Sequence, residues 1–224
     1  MAAAAESLDR KQVFLRLRDH YGEQAWWPAD GPFEVMVGAI LTQNTAWSNV
    51  EKALARLRER NLLNPDALCE IPRDELAETI RSSGYYNQKA RRLAEFADWY
   101  RQQGGLDALR QRDGQSLRRQ LLDLHGVGPE TADDMLLYAF DQPFFVIDSY
   151  TRRLLQRLGL IQGKEPYDTL QQDFHRELEP DPELYRQYHA LIVEHAKTRC
   201  RLRPDCDGCP FVDGCGADVC GGPS

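Results

Sequence analysis

The stretch LHGVGPETADDML, residues 124–136, decides the fold. It places a Gly126-Val127-Gly128 turn between two segments with helical spacing, 116–124 and the run that starts at Pro129. Glycine permits a positive φ and allows another group to approach the backbone closely. A helix that starts at Pro129 points free N–H groups outward from its positive end, which suits an anion such as a nucleic-acid phosphate. A plain αα-hairpin that only turns the chain fits the same letters.

Outward from this turn, apolar residues recur at helical spacing along the chain, and no convincing alternating strand is found. The sequence therefore predicts an all-α protein of about ten helices joined by short loops. The clearest helical segments are 33–45, 49–61, 72–84, 89–105 and 183–198.

Charge is unevenly distributed over the 224 residues, whose formal net charge is −7. Residues 81–124 carry nine Lys or Arg against five acids, so an acidic protein can still present a basic face. Solvated helix faces explain the same distribution equally well. No apolar run approaches the roughly 20 residues that span a bilayer, and no signal peptide is recognised at the start. We expect a cytoplasmic protein that does not enter membranes.

Five of the six cysteines crowd the C-terminus in the spacing C-x5-C-x2-C-x5-C, followed by Cys220. A cytosolic chain seldom keeps disulfides, so the spacing favours a metal site. Four thiolates suit either a structural zinc ion or a [4Fe–4S] cluster, and the long outer gaps favour the larger group. The predicted ligands are Cys200, Cys206, Cys209 and Cys215.

Four separated motifs, in this order, resemble the helix-hairpin-helix glycosylase superfamily that includes endonuclease III. They are FEVMVGAILTQNT, L-x-G-V-G-x-x-T-A, F-V-I-D and the run YHALIVEHAKTRC that leads into the cysteines. The resemblance implies a DNA glycosylase with two helical lobes and a C-terminal [4Fe–4S] loop. The implied division is 30–143 for the lobe with the hairpin (116–139), 1–29 plus 144–199 for the second lobe, 200–216 for the cluster loop and 217–224 for a tail.

Two positions carry the chemistry that the resemblance implies, namely hydrolysis of the N-glycosidic bond of a flipped base. Asp148 matches the catalytic aspartate at the start of the helix after the hairpin, although a carboxylate there also suits a helix cap. Glu130 stands where bifunctional members carry a lysine. Because a carboxylate forms no Schiff base, we expect a monofunctional enzyme without strand-cleaving lyase activity.

The substrate is predicted from an aromatic group near the N-terminus. Trp26, Trp27 and Pro28 lie in one loop, and Trp47 follows the TQNT turn. Indole faces favour a cationic base, as an N-alkylated purine is, although tryptophans also simply pack in cores. The segments WWP, GAILTQNT, SGYYNQKA and G-V-G-x-E-T-A-D together resemble the bacterial 3-methyladenine glycosylase branch, which implies alkylated purines as substrates. Glu130 either bonds an exocyclic amine of the base or is an exposed first-turn acid.

Duplex DNA with a flipped base is the implied partner of a monomeric enzyme. In the family a Gln or Asn fills the gap left by the flipped nucleotide, which leaves Gln43 and Asn44 as candidates. The other predicted DNA-binding residues belong to the hairpin and are Gly126, Val127, Gly128 and Thr131. The alternatives are a mismatch or deaminated-base glycosylase, an endonuclease III-like enzyme for another damaged base, a non-catalytic DNA clamp and a zinc-bound interaction module.

Overall fold

A computed structural model describes residues 8–25, 27 and 29–216. Within these ranges the protein is helical and contains no β-strand, as predicted. No helix in the described part of the chain is both long and apolar enough to cross a membrane. The chain folds into two compact units: unit 1 is Met1–Trp26 with Pro143–Ser224, and unit 2 is Trp27–Gln142.

The described residues form twelve α-helices and two 3-10 turns, Arg81–Ser83 and Val212–Gly214. The α-helices are α1 Arg10–Tyr21, α2 Pro32–Leu41, α3 Trp47–Glu59, α4 Pro65–Glu70, α5 Arg73–Thr79, α6 Tyr86–Gln102, α7 Gly105–Arg110, α8 Gly114–Leu122, α9 Pro129–Tyr138, α10 Ser149–Arg157, α11 Tyr167–Glu177 and α12 Pro182–Thr198.

Unit 2 is built around α2 and α6. Helix α2 is almost wholly buried and packs on α9 and α6, while α4 and α5 pack on α6 from another side. The single helix expected over 72–84 is instead α5 followed by the first 3-10 turn, which ends at Gly84 with φ 66°. This break lets the chain reverse into α6, and so the break positions the loop before that helix.

Unit 1 is built around α12, which packs against both α1 and α10. Its core is aromatic: the rings of Phe145 and Phe174 stack with centroids 3.7 Å apart, and Tyr188 packs against both. Asp9 begins α1 with a reciprocal capping box to Gln12, which satisfies N–H groups that a helix start otherwise leaves unpaired. The core therefore fixes α10 and α12, the two helices that hold the residues around Asp148.

Candidate active site

Asp148 is the N-cap of α10, as the sequence suggested. Its Oδ1 accepts a hydrogen bond from the Thr151 N–H at 2.7 Å, and its backbone is extended. This bond satisfies one of the free N–H groups of the first turn and fixes the carboxylate at the positive end of the helix. Since only one oxygen is used in this way, a cap and a reactive group are compatible.

The apolar segment before Asp148 has no regular secondary structure, and its side chains from Phe144 to Ile147 are buried. Two side chains of α11 satisfy the backbone of this segment. His175 Nε2 accepts a hydrogen bond from the Phe145 N–H at 3.1 Å, and Gln171 donates one to the Phe145 carbonyl at 2.8 Å. The backbone N–H and C=O groups of a buried segment need such partners when the segment belongs to no helix or sheet. The contacts with α11 therefore hold this segment in place, and the segment in turn fixes the position of Asp148.

His189 on α12 lies beside the other oxygen of the carboxylate, with Nε2 3.5 Å from Asp148 Oδ2. Both side chains are largely buried, with 6% of His189 and 14% of Asp148 exposed. Burial alone would raise the pKa of Asp148, but His189 and the Thr151 N–H together hold that pKa below its ordinary value. The carboxylate is thus kept ionised in a place where a buried acid would otherwise take up a proton.

The hairpin of unit 2 has the geometry that its glycines predict. Gly126 has φ 81°, the Val127 N–H donates to the Leu124 carbonyl, and α9 follows with Gly128 as its N-cap. Gly128 is exposed and has open space around its α-carbon, whereas the Val127 side chain is buried. The turn therefore offers backbone, not side chains, to a ligand at the start of α9.

A buried ion pair fixes α8 against α9. The Arg118 guanidinium donates to both carboxylate oxygens of Asp133, at 2.7 and 3.0 Å, and Asp133 is completely buried. Paired, planar donation of this kind sets both the distance and the angle between two groups. The two helices of the hairpin are thereby locked at their sides as well as through the turn.

Gln43 and Asn44, the two candidates for filling the duplex gap, differ in placement. The Gln43 amide donates to the Gly126 carbonyl at 2.9 Å and to Thr131 Oγ1 at 3.0 Å, and Arg92 donates to its oxygen. Asn44 is exposed and has φ 53°. In this state Gln43 braces the turn after α2 against the hairpin, while Asn44 projects from it.

The predicted tryptophan group is found in part. Trp27 meets Trp47 edge-on with ring centroids 5.1 Å apart, and it also lies 5.3 Å from the Tyr138 ring. The Trp27 ring lies against Gly38 of α2, where an added Cβ would be 3.3 Å from it. Trp26 and Pro28 fall outside the described residues. Trp27, Trp47 and Tyr138 thus form one aromatic cluster. The sequence predicted the two tryptophans as members but not Tyr138.

Glu130 is exposed in the first turn of α9, one residue after Pro129. An acidic side chain at this position is favoured by the helix dipole. Thr131, by contrast, has its side chain buried and bonded to Gln43. Of the predicted hairpin residues, Glu130 and Gly128 are the exposed ones near the helix start, and Thr131 acts as a brace.

Three of the predicted cysteine ligands line one small cavity in unit 1. The cavity measures about 10 Å³ and is walled by Cys200, Cys209 and Cys215 together with His195 and Phe211. Burial raises the pKa of the Cys209 thiol, and the neighbouring thiols act in the same direction. Within the described residues, no three His, Cys, Asp or Glu side chains are grouped so as to hold a metal ion. Cys206, the fourth predicted ligand, is disulfide-bonded in this structure, contrary to the expectation of free thiols, so the ligand set stays a prediction.

Two arginines of α10 hold the start of the cysteine loop. Arg157 donates to Cys200 Sγ at 3.2 Å and to the Arg201 carbonyl at 2.7 Å, and Arg153 Nε donates to the Cys200 carbonyl at 2.8 Å. The Gly216 N–H closes the far end of the loop by donating to the Arg157 carbonyl at 2.7 Å. Both ends of the loop are thus fixed to one helix.

The hairpin in unit 2 and the N-capped aspartate in unit 1 lie within one matched family region. Residues 37–180 match the HhH-GPD superfamily of base excision DNA repair proteins, and the chain belongs to that family. It is a DNA repair glycosylase of the family, an enzyme that acts on DNA.

Individual proteins of known sequence or structure agree with this assignment. A Methanocaldococcus jannaschii protein named as a DNA repair glycosylase is 45% identical over 207 residues, which cover 91% of this chain and 94% of that protein. The structure of the H. pylori 3-methyladenine DNA glycosylase bound to 1,N6-ethenoadenine is 31% identical, with a TM-score of 0.75 and coverage of 85% and 98%. An endonuclease III–DNA complex shares the fold, with a TM-score of 0.78, 22% identity and coverage of 93% and 95%.

Sequence reasoning missed His189, Arg92 and Tyr138 as members of these arrangements. The spacing of His189 from His195 does not fit a metal pair, so the sequence indicates only a structural role for both histidines. His195 does bond within the fold, since its Nδ1 lies 2.9 Å from the Tyr21 hydroxyl. The partner of His189 lies 41 residues earlier in the chain, and no local pattern points across that separation.

Proposed function

We propose that this chain is a monofunctional glycosylase that hydrolyses the N-glycosidic bond of alkylated purines such as 3-methyladenine in duplex DNA. The observation that carries the proposal is Asp148, a largely buried carboxylate held ionised by an N-cap bond and by His189. The 31% identity to a 3-methyladenine glycosylase supports the substrate class.

In the proposed reaction, the damaged nucleotide leaves the stack and its sugar comes to Asp148. The bond between C1′ and the base nitrogen breaks, and both electrons go to the base, which loses its positive charge. The Asp148 carboxylate stabilises the oxocarbenium-like sugar, orients a water onto C1′ and accepts the proton that the water gives up. A base that is already cationic needs no leaving-group acid, which fits a site with a single ionised carboxylate.

The aromatic cluster of Trp27, Trp47 and Tyr138 supports the choice of a cationic base. Indole faces attract a cation through their quadrupole, with about 0.5–2 kcal/mol per contact. Trp47 is half-exposed and begins α3, so part of its ring remains available to a ligand. Glu130 in place of the lyase lysine supports the proposal that the product is an intact strand with an abasic site.

Base release tests this proposal directly. Purified protein is incubated with duplexes that carry methylated purines, uracil or a thymine mismatch, and the freed bases are separated by chromatography. We expect 3-methyladenine from the methylated duplex, an unbroken abasic strand and no adduct trapped by borohydride. Release of uracil or thymine alone would favour the mismatch alternative, and a trapped adduct would contradict monofunctional chemistry.

A pair of tryptophan variants separates the pocket from the fold. Trp47→Leu removes an aromatic face from the cluster, and we expect release of 3-methyladenine to fall about tenfold. Trp99→Leu is the matched control, because Trp99 lies on α6 and packs against Phe96. Equal activity of both variants would reject the aromatic cluster as the site that receives the base.

We also propose that Cys200, Cys206, Cys209 and Cys215 hold a [4Fe–4S] cluster. Three of these cysteines wall one cavity and Arg157 donates to Cys200 Sγ, whereas Cys206 is disulfide-bonded in this structure, so that bond must be reduced before Cys206 can supply the fourth thiolate. A cluster takes one thiolate per iron and so needs sulfurs spread farther apart than around a single zinc ion. When bound, it would fix the loop that bears Arg199, Arg201 and Arg203, whose charges suit a DNA backbone.

Iron analysis tests the cluster proposal. We expect about four irons per chain and the visible absorbance of iron–sulfur thiolates. Cys209→Ser should lose both, whereas Cys69→Ser should keep them, because Cys69 lies in α4 of unit 2. One zinc ion per colourless chain would contradict the proposal.

A further inference from the structure

Lys89 is a charged side chain that the proposed reaction does not use. It lies in the first turn of α6 and only 1% of it is exposed. Its ammonium donates to the Leu41 carbonyl at 2.8 Å and to the Ser83 carbonyl at 2.6 Å. Leu41 is the last residue of α2, and Ser83 is the last residue of the first 3-10 turn. One buried cation therefore ties the ends of two other elements to the start of α6.

Burial of the Lys89 ammonium costs free energy, which argues that its contacts with the two carbonyls are specific. Burial and, to a smaller extent, the nearby Arg92 together lower the pKa of Lys89 to about 8. A cation in the first turn also opposes the dipole of its own helix. The compensation comes from two carbonyls at helix ends, where free acceptors and negative partial charge favour an ammonium.

Arg92, one turn farther along α6, continues the same arrangement. It donates to Gln43, which in turn donates to the Gly126 carbonyl and to Thr131. A Cβ added at Gly126 would collide with the Arg92 side chain, so that side chain lies directly on the hairpin turn. Lys89 and Arg92 thus connect three loops of unit 2: 42–46, 81–85 and 124–128.

We propose that Lys89 is a positioning residue for DNA engagement, which sets the 42–46 turn with Gln43 and Asn44 in register with the hairpin. The inference rests on the proposed function, in which these loops bind DNA. Lys89 itself makes no contact with DNA, since its ammonium is enclosed and both of its acceptors are backbone carbonyls of the protein. It acts on DNA only through the loops that it holds.

The test compares Lys89→Met with Lys52→Met, a control that removes the same charge from an exposed position on α3. The probe is a duplex that carries an abasic-site analogue. We expect Lys89→Met to weaken binding about tenfold while the rate at saturating enzyme stays close to that of the wild type. Hydrogen exchange should quicken at the amides of 42–46 and 81–85 in Lys89→Met and not in Lys52→Met.

The salt dependence of binding separates positioning from direct contact. Loss of a phosphate contact lowers the slope of log affinity against log salt by about one, whereas loss of a positioning residue leaves that slope unchanged. A slope reduced by one, or affinity and exchange equal to those of the wild type, would overturn the inference.

A second variant covers failure to fold. Lys89→Gln keeps one N–H donor group and should fall between the wild type and Lys89→Met in both affinity and exchange. If neither variant folds, Lys89 serves the stability of unit 2 as a whole and the inference is rejected. If the wild type neither binds the probe nor releases a base, the proposed function fails instead.

Discussion

Asp148 in unit 1 and Lys89 in unit 2 are both ionisable side chains withdrawn from water at the start of a helix, and their surroundings treat them differently. Asp148 meets an N–H group and an imidazole that outweigh burial, so its pKa falls and its charge is secured. Burial and the neighbouring Arg92 lower the pKa of Lys89 to about 8, while two carbonyl acceptors stabilise its ammonium. This difference agrees with the proposed roles, in which Asp148 serves catalysis and Lys89 holds loops in place.

The largest effect is expected on catalysis, when the charge of Asp148 is removed. Asp148→Asn keeps an acceptor for the Thr151 N–H but carries no charge, so base release should slow about a thousandfold. DNA affinity should stay within about threefold of the wild type, because the hairpin is unchanged. Single-turnover release and DNA titration on one preparation measure both quantities. Release at the wild-type rate would remove Asp148 from the mechanism.

A smaller effect is expected on the hairpin frame. Arg118→Met removes the guanidinium that faces the completely buried Asp133, and the free energy of unfolding should fall by about 3 kcal/mol. Arg119→Met is the matched control, since Arg119 is the exposed neighbour on the same helix. Urea unfolding of the two variants gives the difference. Equal stabilities would show that the ion pair does not fix α8 against α9.

The two hairpin glycines should respond differently to alanine. Gly126→Ala meets a positive φ and the Arg92 side chain, so it should lower the free energy of unfolding by about 1–2 kcal/mol. Gly128→Ala meets neither obstacle and should leave stability unchanged, while it weakens DNA binding by blocking close approach to the backbone. Thermal unfolding and DNA titration together separate the two. Equal loss of stability in both variants would contradict the assigned roles.

The smallest expected effect concerns pH. His189→Gln removes a group that lowers the pKa of Asp148, so that pKa should rise. Because the proposed reaction uses the ionised carboxylate, the acid limb of the rate profile should move to higher pH, with the loss greatest at low pH. His20→Gln, at an exposed position on α1, should leave the profile unchanged. An unmoved limb in His189→Gln would show that His189 does not tune Asp148.

Local sequence predicted the parts of this protein that local physics determines. The glycine turn and the Asp148 cap each depend on conformation within a few residues, and both have the expected backbone. The sequence analysis did not predict α1, α4 and α7; α4 and α7 have only six residues each, too few to show helical spacing. The break between α5 and the first 3-10 turn depends on how the chain enters α6, which spacing alone does not reveal.

Long-range pairs were beyond such reasoning. Lys89 bonds to a carbonyl 48 residues earlier, and Gln43 bonds to one 83 residues later. Gln43 was considered only as a side chain for DNA, and the structure gives it protein partners as well. The residues of a segment do not indicate which distant backbone group they will contact. The bracing role of Lys89, Arg92 and Gln43 is therefore visible only in the folded chain.

The most direct test of the account measures affinity and rate for Asp148→Asn and Lys89→Met in one single-turnover series on methylated duplex DNA. The account predicts opposite losses: Asp148→Asn keeps its affinity and loses its saturated rate, whereas Lys89→Met keeps its saturated rate and loses affinity. If both variants lose the same quantity, the proposed separation of roles is contradicted. In that proposal the charge of Asp148 serves catalysis and the charge of Lys89 holds the protein loops that bind DNA.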